Sequence, residues 1–397
     1  MVSLLLALIY LCFISLGLPD SLLGSAWPVM HSEMGVPSYF AGIISAVICA
    51  GTILSSLFSD KLLRRFGAGK VTAVSVFLTA TGLFGFFLSG KFWMLILWSI
   101  PYGIGAGGVD SILNNFVATN YKAQHMSWLH CMWGLGAATS PYVMSFALAR
   151  YDSWNHGYLI ISILQIILSA VIFISLPIWK KGIKTTEEKA ENSEELKNVK
   201  PLSIKEVFKI KGAVPCLFAF FAYCALEVTA SLWASTYFVE RWQLSVETAA
   251  AYGSMFYIGL TFGRFLNGFL AMKLGDHFLI RLGSGVILFG LVMLLIPVHS
   301  TFSLVGFIII GLGCAPVYPC IIHMTPNVFG KDKSQAMIGM QMAFAYTGFL
   351  IMPPLFGVIA DYVSIGLMPI YILAILIVMV VMHELVIIKN KRKTESI

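Results

Sequence analysis

Residues Tyr102–Phe116 read YGIGAGGVDSILNNF and lie inside an apolar run, 92–119, that is long enough to cross a bilayer. Four glycines precede the carboxylate of Asp110, and small residues of this kind let helix backbones approach closely in lipid. An acid in the middle of such a run costs about 2.5–3.5 kcal/mol to insert, so it usually faces a bundle interior or a water-filled path. The stretch therefore indicates a membrane helix with a functional acid, and Asp110 is the first candidate.

The composition indicates a polytopic membrane protein. Of the 397 residues, 58% are hydrophobic and only 11% are charged, and the mean hydropathy is +0.85. Soluble globular chains have roughly 45–50% apolar and about 25% charged residues. The first apolar run lacks a basic flank and is too long for the core of a cleavable signal peptide, so we expect none. The seven cysteines include no C-x-x-C pair, so we expect neither a disulfide framework nor a metal site.

Twelve apolar runs follow one another along the chain, each near or above the length of about 20 residues that a membrane helix needs. They fall near 4–31, 38–59, 70–89, 92–119, 124–149, 155–178, 211–239, 249–272, 278–298, 301–325, 334–359 and 363–388. Such long runs exclude a transmembrane β-barrel, whose strands need only about 10 alternating residues. The sequence therefore predicts an all-α integral membrane protein.

Lysine and arginine are unevenly distributed over the connecting segments. With the N-terminus in the cytoplasm, 22 of the 26 basic residues fall in cytoplasmic segments, three fall in outer segments, and Arg264 lies within a span. The positive-inside rule therefore predicts a multi-pass protein of the cell (inner) membrane with both termini in the cytoplasm. This distribution also accounts for the net charge of +7, so no nucleic acid is expected as a partner.

One extended polar segment, 180–210, mixes both charge signs and predicts a flexible cytoplasmic linker. It separates an N-terminal six-helix bundle, 1–179, from a C-terminal six-helix bundle, 211–397. The two halves repeat each other: RFG at 65–67 matches KLG at 273–275 at an offset of 208 residues, and Asp20 matches Glu227 at an offset of 207. Parallel repeats with a substrate site at their interface are a transporter architecture.

The chain resembles the major facilitator superfamily over nearly its whole length, and within it the fucose permease-like group of fucose–galactose–glucose:proton symporters. The resembling pieces are LGLPD at 16–20, GAGGVD at 105–110, WLHCMWG at 128–134, Glu227 with Trp233, and GRFLNGF at 263–269. The resemblance implies twelve transmembrane helices in two pseudo-symmetric bundles and secondary active transport by alternating access. It also implies that the acids of spans 1 and 4, here Asp20 and Asp110, serve sugar binding and proton coupling.

The superfamily's loop motif after span 2 is imperfect in this chain. The acid of the motif is replaced by Arg64 in the first half and by Met272 in the second. The ionic interaction that this acid usually makes in the superfamily is therefore in doubt here. Asp60 lies at the position of the motif's first glycine and could partly substitute for the acid from one turn away. The residues that we assign to the two gating loops are Asp60, Arg64, Arg65, Gly67, Lys273 and Gly275.

Three carboxylates, those of Asp20, Asp110 and Glu227, lie inside spans and are predicted to couple transport to protons. Burial disfavours the charged form of a carboxyl group, so such an acid can load and release a proton near neutral pH. For Asp20 and Asp110 the alternative is a structural carboxylate satisfied by a neighbouring helix. Glu227 is either a second-half site residue or the partner of a buried cation such as Arg264.

The substrate-binding candidates combine these acids with amides, histidines and aromatic rings. Asn114 follows Asp110 by four residues, so the two are helical neighbours. An aromatic ring can stack on a sugar or merely sit at the membrane interface, and a lone histidine can bind hydroxyls, relay protons or only pack. The predicted set is Asp20, Asp110, Asn114, His130, Trp133, Glu227, Trp233, Tyr318, His323 and Gln341.

These patterns predict proton-coupled uptake of a sugar or a similar polyhydroxylated solute. The sequence contains no motif for covalent catalysis or nucleotide binding, so we expect no enzyme and no cofactor, and a gradient must drive transport. A phosphate would want paired cations in the cavity, and Arg264 alone disfavours an organophosphate substrate. The alternatives are a proton-coupled exporter of drugs or metabolites and a non-transporting sugar sensor of the same fold. The expected partners are a small-molecule substrate, protons and the lipid bilayer, and the expected state is a monomer.

Overall fold

The structure is a computed structural model that describes residues 2–37, 40–187, 202–244, 246–296 and 298–394, and α-helices dominate it. The helices are α1 Val2–Asp20, α2 Leu22–Glu33, α3 Ala41–Phe66, α4 Ala68–Phe87, α5 Phe92–Asn120, α6 Ala123–Tyr151, α7 Trp154–Glu187, α8 Ile204–Lys209, α9 Ala213–Trp242, α10 Val246–Leu270, α11 Asp276–Leu295, α12 Ser300–Cys314, α13 Val317–Phe329, α14 Lys331–Tyr362 and α15 Met368–Thr394. A 3₁₀ turn, Ile365–Leu367, precedes α15.

Ten helical segments within the described ranges have the length and composition to cross a membrane, and two of them join neighbouring helices, α1 with α2 and α12 with α13. The helices α6 and α10 are similarly long, with 29 and 25 residues, but are more polar. They carry His130 and Arg264, two side chains that hydrocarbon does not favour. With these two, the helical segments correspond one by one to the twelve apolar runs of the sequence.

The chain divides into two compact units. The first unit comprises Met1–Phe116 and Met132–Leu202, and the second comprises Val117–Cys131 and Ser203–Ile397. Within the first, α7 packs against α4 and α1, and within the second, α9 packs against α14 and α15. The second unit also includes 117–131, which the sequence places in the first bundle. The bundle bounds 1–179 and 211–397 therefore stay a prediction. Of the predicted linker, 188–201 lies outside the described residues, and 180–187 continues α7.

The glycines of α5 bring its backbone against two other helices of the first unit. A Cβ on Gly107 would lie 2.4 Å from the carbonyl oxygen of Thr52 in α3, and one on Gly105 would lie 2.4 Å from that of Ser75 in α4. The hydroxyl of Thr52 uses this approach to donate to the carbonyl oxygen of Gly103 at 3.1 Å. Small residues therefore let α5 pack between α3 and α4.

We expect Gly107→Val to prevent correct folding, because its side chain would collide with the backbone of Thr52. The yield of monodisperse detergent-solubilised protein, measured by size-exclusion chromatography, checks this prediction. Gly24→Ala is the matched control, since a Cβ at Gly24 meets nothing within 4 Å and alanine is favoured over glycine in a helix by about 1 kcal/mol. Equal yields from the two variants would contradict the packing role of Gly107.

Prolines inside the helices release carbonyl groups that side chains of other helices then bind. Pro19 has no N–H for the carbonyl of Ser15, which instead accepts a hydrogen bond of 2.7 Å from the amide of Gln165 in α7. The proline of α6 likewise releases the carbonyl of Ala137, which accepts from the hydroxyl of Ser21 at 2.5 Å. Because lipid offers no partner to backbone polar groups, these bonds tie α1 and α2 to α6 and α7.

Two spans that the sequence predicts as continuous are interrupted. The predicted run 4–31 forms two helices that meet at Ser21, two residues after Pro19. The predicted run 301–325 is interrupted between α12 and α13 at Pro316. A proline removes one helical hydrogen bond and its ring crowds the preceding turn, which explains both breaks. Discontinuous helices are typical of substrate sites in transporters, and Asp20 lies directly at the first break.

Candidate functional site

Asp20 is the last residue of α1, and its side chain is exposed. The indole Nε1 of Trp133 in α6 donates to one carboxylate oxygen at 2.7 Å, and the hydroxyl of Tyr102 in α5 donates to the other at 3.4 Å. Asp20 lies within the candidate membrane span Leu4–Trp27, where an exposed carboxylate is costly in hydrocarbon, and this favours a position that water reaches. A place for Asp20 on a solute path stays a prediction.

Asp110 lies in a different environment, deep within the first unit. It is 4% exposed, and the amide of Asn114 donates to its carboxylate at 2.7 Å and to its carbonyl oxygen at 2.9 Å. A Cβ on neighbouring Gly108 would lie 2.3 Å from the hydroxyl oxygen of Ser75, so hydroxyl groups pack closely here. Asp110 and Asn114 share one helix face in a polar but tightly packed region.

Glu227 of α9 pairs with Arg264 of α10 in the second unit. The Nη2 of Arg264 lies 3.3 and 3.4 Å from the two carboxylate oxygens, and the side chains are 3% exposed for Arg264 and 12% for Glu227. Tyr223 donates its hydroxyl to the same carboxylate and lies 2.9 Å from the carbonyl oxygen of Cys314. Of the two roles that the sequence left open for Glu227, the structure shows the ion pair.

Aromatic rings extend this ion pair into a larger cluster of the second unit. The ring of Tyr318 lies 4.4 Å from that of His130 and 4.7 Å from that of Phe220, measured between centroids. Its hydroxyl lies 3.2 Å from the sulfur of Met342. Arg264 lies within electrostatic range of both Tyr318 and His130. The structure therefore brings these predicted site residues together.

Trp233 and Gln341, two further predicted substrate residues, have partners inside the second unit. The indole of Trp233 donates to the carbonyl oxygen of Pro353 at 3.0 Å and so joins α9 to α14. Gln341 is fully buried, and its amide nitrogen lies 3.0 Å from the hydroxyl of Thr325 and 3.2 Å from the sulfur of Cys216. Both side chains connect helices, and their contact with a substrate stays a prediction.

His323 of α13 contacts the start of α11. Its Nδ1 lies 2.7 Å from a carboxylate oxygen of Asp276, the first residue of α11. Lys273 and Gly275, which we assigned to the second gating loop, directly precede this residue between α10 and α11. His323 therefore links α13 to the predicted gating loop, and its role as a substrate ligand stays a prediction.

The first predicted gating loop is mostly helical. Asp60, Arg64 and Arg65 belong to α3, and Gly67 alone connects α3 to α4, with a φ of 78° that glycine tolerates best. Asp60 is 4% exposed, and the Nε of Arg64 lies 3.0 Å from its carboxylate. The acid that could replace the motif's missing carboxylate is thus paired within its own helix.

Two tyrosines at the predicted acids are absent from the predicted ligand set. Tyr223 donates to Glu227, and its position four residues earlier on the same helix is a signal that the sequence offers. Tyr102 donates to Asp20 from 82 residues away, and no local pattern indicates that contact. A tyrosine one helical turn from an acid within a span, such as Tyr223, can therefore be predicted as its hydrogen-bond partner, whereas Tyr102 cannot.

Sequence comparison finds relatives along almost the whole chain. A profile of the Major Facilitator Superfamily matches residues 9–307 and 244–396. The protein "Bypass of stop codon protein 6" of Saccharomyces cerevisiae is 23% identical over 390 residues, which covers 90% of this chain and 77% of the relative. The glucose/mannose transporter GlcP of Bacillus subtilis is 20% identical over 329 residues, which covers 81% of this chain and 80% of the relative.

Structural comparison agrees with the sequence comparison. The transporter FucP in its outward conformation superposes with a TM-score of 0.76 at 14% identity, over 96% of this chain and 97% of that structure. A second FucP structure, described as the E. coli fucose:proton symporter, gives a TM-score of 0.73 at 13% identity, over 96% and 98%. The predicted resemblance and the predicted all-α membrane fold are confirmed. The chain belongs to the Major Facilitator Superfamily, and it is a multi-pass membrane transporter rather than an enzyme.

Proposed function

We propose that this transporter takes up a sugar or a similar polyhydroxylated solute together with protons, by alternating access. The observation that carries the proposal is the exposed carboxylate of Asp20 at the break between α1 and α2, bonded to the indole of Trp133 at 2.7 Å. A carboxylate accepts hydrogen bonds from hydroxyl groups. The adjacent indole offers an apolar face with a polar edge, which suits the apolar face of a sugar ring.

The charge balance of the second unit supports a neutral substrate. Arg264 is the buried cation among the candidate residues, and Glu227 lies 3.3 Å from it. An anionic substrate such as a phosphate ester would favour cations whose charge is not already balanced, arranged for bidentate binding. Hydroxyl groups need only donors and acceptors, which the cluster of Tyr223, Tyr318 and His130 supplies.

The same acids support proton coupling. A carboxylate only accepts hydrogen bonds, whereas a protonated carboxyl group also donates one, so protonation of Asp20 changes the hydrogen bonds available to a substrate. We assign proton loading to Asp20 and Asp110, and substrate contact to Asp20 and Trp133 of the first unit. Substrate contact by the cluster around Glu227 in the second unit is a separate proposal. The names of two similar proteins, a glucose/mannose transporter and a fucose:proton symporter, support a sugar substrate, and the second also supports proton coupling.

We also propose that the protein is a monomer of the cell (inner) membrane with both termini in the cytoplasm. The distribution of lysine and arginine supports this orientation, because 22 of 26 basic residues fall on one side. Two bundles, 1–179 and 211–397, joined by the linker 180–210, would then each cross the membrane six times. Protease accessibility of tags at either end in inside-out and right-side-out vesicles tests the orientation.

Uptake into proteoliposomes tests the proposed function. The purified protein is reconstituted, a panel of radiolabelled sugars and polyols is offered, and an inward proton gradient is imposed. We expect accumulation of at least one sugar that a protonophore collapses. Accumulation that requires sodium and ignores pH would contradict proton coupling. Extrusion of hydrophobic compounds without sugar uptake would identify an exporter, and sugar binding without counterflow would identify a sensor.

Trp133→Phe is expected to raise the half-saturating substrate concentration about tenfold or more, because it removes the indole N–H bonded to Asp20 and keeps an aromatic ring. A hydrogen bond to a charged group contributes about 1.5–3 kcal/mol. Initial rates of uptake measure the effect. Trp154→Phe is the matched control, because it removes an indole bond of 2.6 Å to Glu33, which is not one of the candidate residues. Equal effects on half-saturation would contradict the assignment of Trp133.

A further inference from the structure

The short helix α8, Ile204–Lys209, lies immediately before a membrane-spanning helix. It begins with a capping box, in which Ser203 and Glu206 each bond the other's backbone N–H through their side chains. Three residues separate α8 from α9, which begins at Ala213 and has the length and composition to cross a membrane. At this distance from a spanning helix, α8 lies within reach of the membrane surface.

One face of α8 is anchored and another presents apolar side chains outward. Val207 is 3% exposed, and α8 packs against α9 and α14. Ile204 and Phe208 lie one turn apart and are 48% and 41% exposed, although the ring of Phe208 also touches that of Phe344 at 6.2 Å. Apolar side chains on one face of a surface helix become buried when the helix lies at the boundary between headgroups and acyl chains.

Lysines flank this apolar face. Lys205 and Lys209 lie one turn apart, Lys211 follows the helix, and all three are exposed. The only acid within α8 is Glu206, whose carboxylate is engaged in the capping box. Lysine side chains next to an apolar face extend toward lipid phosphates, and basic residues beside a membrane span attract anionic headgroups. The charge of α8 therefore complements an anionic lipid surface.

We propose that α8 is an interfacial helix that binds anionic phospholipids. Ile204 and Phe208 enter the headgroup region, and Lys205, Lys209 and Lys211 bind the phosphate groups. Because α8 packs on α9 and α14, bound lipid stabilises the second unit. This inference does not depend on which solute the transporter carries.

The test is a lipid titration of the full-length protein in detergent micelles, with the unfolding midpoint as readout. We expect phosphatidylglycerol to raise the midpoint at much lower concentration than phosphatidylcholine does. Lys205→Gln/Lys209→Gln/Lys211→Gln is expected to need about 100-fold more phosphatidylglycerol for half of the effect, because each lysine near an anionic surface contributes about fivefold in affinity. A control variant removes the same charge at the ends of other spanning helices, at Lys331, Lys333 and Lys389, and should shift the titration far less because it leaves α8 intact.

Four results would overturn the proposal. Equal loss in the control variant would show a general effect of net charge. Equal stabilisation by phosphatidylcholine would show that the headgroup charge is not recognised. A lower midpoint of the triple variant already without lipid would show that the lysines bind acidic residues of the chain itself. Ile204→Ser keeps every lysine and should weaken the phosphatidylglycerol effect about fivefold, because about half of this side chain is exposed; an unchanged titration would refute insertion of the apolar face.

Discussion

Asp20→Asn is expected to abolish proton-driven accumulation of the substrate while leaving exchange across the membrane intact. Asparagine keeps the shape of the side chain and one oxygen that accepts from the indole of Trp133. Its amide nitrogen can donate to the hydroxyl oxygen of Tyr102 in place of the bond that the second carboxylate oxygen accepts, but the amide cannot load or release a proton. With one proton per substrate, a gradient of one pH unit supports about tenfold accumulation, since one unit corresponds to about 1.36 kcal/mol. The variant should therefore lose this factor for every unit of imposed gradient.

Accumulation and exchange are both measured in one preparation of proteoliposomes. The ratio of internal to external substrate under an inward proton gradient gives accumulation, and counterflow of labelled substrate at equal pH gives exchange. Asp152→Asn is the matched control, because Asp152 is an exposed acid between α6 and α7 with a φ of 49°, a conformation that asparagine tolerates. Full accumulation by Asp20→Asn would remove Asp20 from proton coupling. Loss of exchange as well would contradict a proton-coupling role that is separable from substrate exchange.

The helical architecture could be predicted from the sequence because its signals are local. Span length is read from uninterrupted apolar residues, and acids within spans stand out because lipid disfavours them. The interruptions at Ser21 and Pro316 could not be located in this way, since the apolar runs continue through them. A proline leaves the carbonyl four residues before it without its helical hydrogen bond, and the effect on the helix depends on which group binds that carbonyl instead. For Pro19 the carbonyl is that of Ser15, and its partner is Gln165, far along the chain.

The candidate site was predictable only where its contacts are short-range. The bond between Asn114 and Asp110 follows from a spacing of four residues. The two donors to Asp20 lie 82 and 113 residues away, so the sequence cannot tell this exposed acid from buried Asp110. The structure shows the ion pair of Glu227 with Arg264, which depends on packing between α9 and α10, and that information is not local in the sequence. Substrate contact by Glu227 stays a prediction.

Removing one partner of the Glu227–Arg264 pair is expected to destabilise the protein more than removing both. Glu227→Leu leaves the guanidinium of Arg264, 3% exposed, without its balancing carboxylate. An uncompensated buried charge of this kind costs about 3–5 kcal/mol. In Glu227→Leu/Arg264→Leu both charges are replaced by apolar groups, and such replacements of buried pairs are often neutral. The interaction between Glu227 and Arg264 is measured from the unfolding midpoints of the wild type, both single variants and the double variant in one detergent.

Unfolding midpoints of the same four proteins, measured with and without substrate, show whether Glu227 only pairs with Arg264 or also binds substrate. A ligand that binds only the folded state raises the midpoint, so substrate should stabilise the double variant as well as the wild type if the pair only packs helices. If Glu227 also binds substrate, the double variant should fold yet gain nothing from it. The exposed pair of Arg281 with Glu384, 54% and 35% exposed, serves as the control and should contribute no more than about 1 kcal/mol. Additive effects of the two single substitutions would contradict the buried pair itself, because residues that interact directly do not act independently.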